Sequence, residues 1–311
     1  MILLGTTTTI CAGLKENNYK LSSKDKKNGI GFLNALKNVE DIDGNVIQVF
    51  LKPNLKINCR ISLSDEACQK CKDYLKENDL IYVCHSSYLI NSAKPLLDPK
   101  VKAAFNNYVD DLIYMDKMGG IGCVMHMGKK MNIDNDIAIK NMCKFVNNVV
   151  EETSDLKCKV ILENSAHQGT EIGFKLEEIS KIFNGIDDKY KNRVGICWDT
   201  CHGFASGYDF RSKTETEKFI KDFDTLIGIN NLVLIHLNDS KEPLNSKRDR
   251  HFNFSKGYIT NPELGGSYDG IKVLLEMCEK NSIPIVLETP DEVPLHTQHK
   301  IEIQLLKNLV N

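Results

Sequence analysis

The sequence predicts an α/β fold, a single (β/α)8 TIM barrel running through residues 1–311. Three observations carry that expectation. Short apolar runs recur along the whole chain, separated by longer stretches whose apolar residues fall at three- and four-residue spacing, the mark of a helix burying one stripe. The short runs are apolar throughout rather than alternating, as in a parallel sheet covered on both faces. No Pro/Gly/Ser-rich linker or fixed-period repeat divides the chain, and eight β/α units in 311 residues suit one closed barrel better than two open sheets.

The strands are expected at residues 2–5, 46–50, 81–84, 123–126, 160–163, 195–198, 232–236 and 284–287. Between them lie amphipathic stretches such as KVKAAFNNYVDDLIYMDKMG, AIKNMCKFVNNVVEET, FKLEEISKIFNGI, TEKFIKDFDTLIGI and YDGIKVLLEMCEKN, and the last strand is followed by HTQHKIEIQLLKNLV. The polar segments KENNYKLSSKDKKN and KEPLNSKRDRHFNFSKGYITN read as surface loops.

Composition narrows the class. A chain with 41% hydrophobic and 26% charged residues is a soluble globular protein, and no apolar run is long enough to span a bilayer. The start MILLGTTTTICAG lacks the basic flank and small-residue cleavage site of a signal peptide. The expected protein is therefore intracellular and without membrane contact, and its eleven scattered cysteines are expected to be mostly reduced; a monomer is also expected. A net charge of −2 provides no global basic field, so binding to a polyanion would depend on local patches or bound metal.

Barrels of this kind place their active sites at the C-terminal ends of the strands. IYVCH ends in His85, CVMH in His126 and VILE in Glu163. GICWD ends in Asp199, with His202 just after it; LVLIH ends in His236, and its loop carries Asp249 and His251 in RDRH; IVLE ends in Glu288. Six successive strands thus end in His, Asp or Glu, which predicts a metal site at that face. Imidazole and carboxylate donors without organised thiolate suit zinc, manganese or iron. Nine candidate ligands exceed what one four-coordinate ion can use, so two or three ions are implied, with Glu163 the natural bridge. Three divalent ions set against four carboxylates and a hydroxide leave a centre of about +1, suited to a phosphodiester.

These strings resemble the endonuclease IV family of apurinic/apyrimidinic (AP) endonucleases, on the xylose-isomerase-like barrel. The matching segments are HSSYLIN at His85, LENSAHQGTEIGF at Glu163, GICWDTCHGFASGYDF at Asp199, IHLNDSK at His236, DRH at Asp249 and VLET at Glu288. They stand in the family's order and cover nearly the whole chain. The resemblance implies a DNA-repair hydrolase of the deoxyribonuclease IV type with three Zn2+ per chain, Mn2+ being an alternative at one site. His85, His126 and Glu163 would hold the first zinc. Glu163, Asp199, His236 and Glu288 would hold the second, and His202, Asp249 and His251 the third. A metal-bridging hydroxide oriented by Glu288 would cut the phosphodiester 5′ to an abasic site, leaving a 3′-hydroxyl and a 5′-deoxyribose phosphate; removal of 3′-blocking groups is also implied.

The implied partner is double-stranded DNA with abasic sites or 3′-blocked ends, the baseless nucleotide being cheap to extrude. Tyr88 matches an aromatic that the family inserts into DNA, and Lys56, Arg60, Lys247, Arg248 and Arg250 are candidate phosphate contacts. The chain departs from the family at four places. Thr6 or Thr7 stands near a usual His, MGKK follows His126 in place of Pro-Gly, Lys56 replaces a common Arg, and Ser255 replaces a Gly. The changes bear on loop geometry and DNA affinity more than on hydrolysis.

Other residues read as bystanders. Cys68 and Cys71 form a CxxC on a helix with no second pair nearby, an ordinary helical pair. Cys197 shares the strand parity of Asp199 and is expected in the barrel interior; Trp198 is expected in packing. His167 fits either a place beside the bridging carboxylate or a loop hydrogen bond, and His296 and His299 are expected on a helix surface. Two other functions compete with the nuclease. A metal-dependent sugar isomerase or epimerase on a related barrel would use one or two Mn or Mg ions, whereas a lesion-binding protein would keep the fold without turnover.

Overall fold

The computed structural model describes residues 2–10, 24–25, 28–57, 59, 61, 63–292 and 295–310. Arg60 and most of the segment KENNYKLSSKDKKN lie outside the described residues. In chain order the strands are β1 (Leu4–Thr8), β2 (Val46–Val49), β3 (Ile81–His85), β4 (Gly122–His126), β5 (Lys159–Glu163), β6 (Val194–Asp199), β7 (Leu232–His236), β8 (Asp239–Ser240), β9 (His251–Phe252) and β10 (Ile285–Leu287). β1 to β7 and β10 close a parallel barrel in which β10 pairs with both β7 and β1. β8 and β9 form a small antiparallel ribbon on the loop after β7.

The helices are α1 (Ile30–Glu40), α2 (Asp65–Glu77), α3 (Pro99–Lys117), α4 (Asn135–Glu152), α5 (Leu176–Asn184), α6 (Thr200–Ser206), α7 (Lys213–Leu226), α8 (Asp269–Asn281) and α9 (Thr297–Val310). Their starts follow the sequence chemistry. Ser64, Asp98 and Asp134 each accept a backbone N–H from the first turn of α2, α3 and α4, satisfying donors that would otherwise lack a partner. The apolar stripe of each helix then buries against the outer face of the barrel.

The first strand lies two residues later than expected, because the β-branched run Thr6–Thr8 is extended and pairs with β2. The loop expected from KEPLNSKRDRHFNFSKGYITN is likewise more ordered than its polarity implies. Phe254, Ile259 and Thr260 are buried, and the Asp239 carboxylate accepts the backbone N–H groups of Ser240 and Ile259. Within it Ser255 takes φ +66°, the left-handed region that a Gly adopts without strain.

Inside the barrel, Val46, Val83, Val124, Ile161, Cys197, Leu234 and Val286 form one buried layer. Side chains alternate across a strand, so the residue two positions on faces the same interior. In β3 to β7 and β10 that next position is His85, His126, Glu163, Asp199, His236 and Glu288. An apolar floor therefore sets the direction of the polar residues above it. Cys197 lies in this floor, as its parity requires, and Cys68 and Cys71 pack inside α2, where burial pushes the Cys71 thiol up to about 12.

Candidate metal centre

Glu163, at the end of β5, is fully buried and lies at the middle of the cluster. Its Oε2 is 3.1 Å from His85 Nε2 and 3.4 Å from His126 Nε2. Its Oε1 is 2.9 Å from His236 Nδ1, which in turn lies 3.3 Å from Glu288 Oε2. One carboxylate thus faces ligand candidates from β3, β4 and β7 through different oxygens.

Asp199 ends β6 and caps α6. Its Oδ1 accepts the His202 N–H at 2.7 Å, and its Oδ2 accepts from Asn238 Nδ2 at 2.7 Å. This two-turn helix is why the spacing DTCH brings Asp199 and His202 to the same mouth. The ribbon then carries Asp249 and His251 over it. His202 Nε2 is 3.2 Å from Asp249 Oδ2, and His251 Nε2 is 3.3 Å from Asp249 Oδ1. All nine candidate ligands are brought together, and their donor atoms fall into three groups within each of which every atom lies within 4.8 Å of the others. The groups are His85, His126, Glu163; Glu163, Asp199, His236, Glu288; and His202, Asp249, His251.

The geometry fits cations. A tetrahedral ion with bonds of about 2.0–2.1 Å holds its ligand atoms about 3.3 Å apart, the spacing found between the facing donors here. The imidazoles are also oriented as ligands are. His85, His202 and His251 each donate Nδ1–H to a backbone carbonyl, of Ser86, Asn164 and Glu288, and turn Nε2 inward. His236 is reversed, donating Nε2–H to Gln48 Oε1 at 2.8 Å. The buried Nε2 of His251 has no hydrogen-bond partner.

The electrostatics agree. Burial alone would raise the carboxyl of Glu163, but His126, His236 and His85 hold it well below the usual range. Burial would lower His251, yet Asp199 and Asp249 raise it to about 10, while at His126 burial prevails and drives it down to about 4. Four carboxylates gathered in one pocket draw positive charge.

Gln48, Asn164 and Asn238, which hydrogen-bond the ligand candidates, are positions that sequence reasoning passed over. Gln48 Nε2 donates to Glu288 Oε1 at 2.6 Å and to Thr7 Oγ1 at 2.9 Å, so β1 and β2 contribute neutral bracing. The signal was available, because Gln48 follows the floor residue Val46 by two positions, as the ligands follow theirs. Asn164 donates to the Asp199 carbonyl, and Asn238 Oδ1 accepts the Glu288 N–H.

A cleft of about 640 Å³ opens above the cluster, lined by Tyr88, His126, Gln168, Asp249, Arg250 and Glu288 among others. Tyr88 is 45% exposed and sets its ring edgewise against His85 and His126. Lys56, Lys247, Arg248 and Arg250 are all exposed; Arg250 reaches the cleft wall, whereas Arg248 lies 3.7 Å from Glu242. Trp198 is buried among Tyr208, Phe219 and Phe223, a packing residue. His167 stacks on Phe174 at 3.7 Å, where an aromatic face rather than the Glu163 carboxylate holds it. His296 and His299, expected on a helix surface, are both buried, because the start of α9 turns in against β1.

A family model described as xylose isomerase-like TIM barrel matches residues 36–309. A protein of Petrotoga mobilis named "Probable endonuclease 4" is 32% identical over 282 residues, covering 90% of this chain and 95% of that protein. The chain belongs to the endonuclease IV family. Members of the endonuclease IV family hydrolyse phosphodiester bonds, and this chain is a nuclease of that kind on the same barrel. The Plasmodium berghei protein named "Apurinic-apyrimidinic endonuclease 1" is 34% identical over 297 residues, covering 94% of this chain and 55% of that longer protein. The crystal structure of endonuclease IV from Thermus thermophilus superposes with a TM-score of 0.72 at 21% identity, covering 89% of this chain and 93% of that one, and shows the shared fold. Among the described residues, no helix is long and apolar enough to cross a membrane.

Proposed function

We propose that the chain, acting as one catalytic domain, is a zinc-dependent DNA-repair endonuclease. It cuts the phosphodiester 5′ to an abasic site and leaves a 3′-hydroxyl and a 5′-deoxyribose phosphate, and the same site removes 3′-blocking groups. The observation that carries this reading is the division of nine ligand candidates into three sets, two of which share Glu163. His85, His126 and Glu163 would hold one ion, Glu163, Asp199, His236 and Glu288 a second, and His202, Asp249 and His251 a third. Ions bound there would supply an activated water and charge stabilisation at the entering and leaving oxygens of the phosphate.

The chain's own residues do the positioning. Glu288 is fixed by Gln48 on its side chain and by Asn238 on its backbone, so its carboxylate meets the attacking water in one orientation. Asn238 also holds Asp199, coupling the β6 and β10 ligands through one amide. Tyr88 stands at the rim of the cleft, where an aromatic face fills the stack left by a displaced nucleotide. Arg250, Lys56, Lys247 and Arg248 offer charge to flanking phosphates, and Arg60 is assigned to the same role from the sequence.

The test is a duplex carrying one tetrahydrofuran abasic analogue, which lacks the aldehyde needed for lyase chemistry. A nick 5′ to the analogue, lost on stripping zinc and in Glu163→Gln, is the expected result. Intact duplex with zinc-loaded protein overturns the reading. Binding one or two Mn2+ or Mg2+ in place of three zinc ions would point to sugar isomerisation instead.

A further inference from the structure

A second histidine cluster lies outside the barrel mouth, between β1, the segment after Glu288 and the start of α9. His296 and His299 are 0% and 2% exposed, and their Nδ1 atoms face each other at 3.0 Å. The Asp291 carboxylate is buried beside them, with Oδ2 3.3 Å from His299 Nδ1. The candidate donor atoms of the three residues lie within 4.8 Å of one another.

The outer nitrogens show how these rings are set. His299 Nε2–H donates to the Thr289 carbonyl at 2.9 Å, so a neutral His299 turns the lone pair of Nδ1 into the cluster. His296 Nε2 is 2.7 Å from the hydroxyl of Thr8. Thr6 Oγ1 spends its proton on the Leu287 carbonyl at 2.9 Å and presents lone pairs to His299 Nδ1 at 3.0 Å. A carboxylate oxygen, a hydroxyl oxygen and two imidazole nitrogens therefore converge, with Asp291 also accepting the backbone N–H groups of Gln298 and His299 at the start of α9. Paired imidazoles held by outer oxygen partners beside a carboxylate can turn their inner nitrogens toward one ion, as ligating histidines do.

We propose that Asp291, His296 and His299 bind a divalent transition-metal ion of the zinc class at a structural site separate from the strand-end cluster. Nitrogen and carboxylate donors without thiolate select zinc and its neighbours over calcium or magnesium. The site joins the entry of α9 to Thr6 and Thr8 of β1, and so closes the barrel on its outside at the junction of its first and last strands. Nothing in this proposal depends on the hydrolytic reading, since none of its donors belongs to the three sets at the mouth.

Crystals of the full-length protein grown with zinc, measured on both sides of the zinc absorption edge, test it directly. An anomalous peak about 2 Å from His296 Nδ1, His299 Nδ1 and Asp291 is expected. Peaks at the barrel mouth with none here would leave only a hydrogen-bonded chain from Thr8 through both imidazoles to Thr289, and would overturn the proposal. A peak here with none at the mouth would keep it and overturn the hydrolytic reading. In solution, His296→Gln should bind one zinc per chain fewer than the parent and still nick abasic duplex, with Asp291→Asn as the second variant should His296→Gln fail to fold. An unchanged zinc count in the folded variant also overturns the proposal.

Discussion

The two sides of the barrel carry different loads. From β4 to β10 nearly every inward strand end is a ligand candidate, and amides from Asn164 and Asn238 brace them. From β1 to β3 only His85 joins the cluster, while Thr7 and Gln48 contribute neutral hydrogen bonds. The strong charges on that side lie behind the sheet. Lys52, buried just after β2, reaches Asp110 at 2.8 Å, Asp111 at 3.2 Å and the Asn107 carbonyl at 2.7 Å on α3. One side therefore spends its buried charge on the phosphate chemistry proposed here, and the other on holding the loop that begins at Leu51 against a helix. Substitutions should separate accordingly, with activity lost on one side and stability on the other.

The largest effect is expected at Glu163. Glu163→Gln should reduce nicking by well over ~100-fold, beyond the range for residues that only orient a ligand, while thermal unfolding still shows a folded protein. Activity within tenfold of the parent would break the comparison at its strongest point. On the opposite side, Lys52→Met should cost about 3–5 kcal/mol in denaturant unfolding, because it strands a buried carboxylate. Nicking per folded molecule should change little; a selective loss of turnover with unchanged unfolding would reverse the assignment of the two sides.

Asn238→Ala comes next, with roughly 10–100-fold weaker metal affinity or activity, since it frees both Asp199 and Glu288. Zinc competition against a chelator reads this without relying on turnover. The smallest effect is a pH dependence. Burial raises Asp111 from 3.8 to about 7, against the opposing pull of Lys52. A carboxyl raised on folding binds its proton more tightly in the native state, so its contribution is present below about pH 4 and lost as the pH rises to about 7. Asp111→Asn should flatten the unfolding free energy across that window. An unchanged profile would mean that Asp111 does not titrate there.

The same contrast explains what could be read in the sequence. His85, His126, Glu163, Asp199, His236 and Glu288 each end an apolar run, and a period of two fixes which way they point once the run is known to be a barrel strand. Gln48 obeys the same rule but is neutral, so it carried no chemical alarm. His296 and His299 could not be placed from their neighbours. Their burial depends on contact with Thr6 and Thr8, nearly the full length of the chain away, and local periodicity carries no trace of such a meeting. The first strand was misplaced for a related reason, since apolar Ile2 and Leu3 outweighed a threonine run whose role comes from pairing with β2 and β10.

The apolar floor beneath the cluster has a consequence for the order in which the mouth would empty. Charge there is screened by water from above only, so attraction for a cation strengthens with depth. Glu163 lies at the bottom with a side chain 1% exposed, and Asp249 at the top with 39%. The His202, Asp249 and His251 set is thus the shallow end of a well and the Glu163 sets its deep end. An ion bound at the rim would exchange with solution first, and Glu163 would be the last group to be stripped.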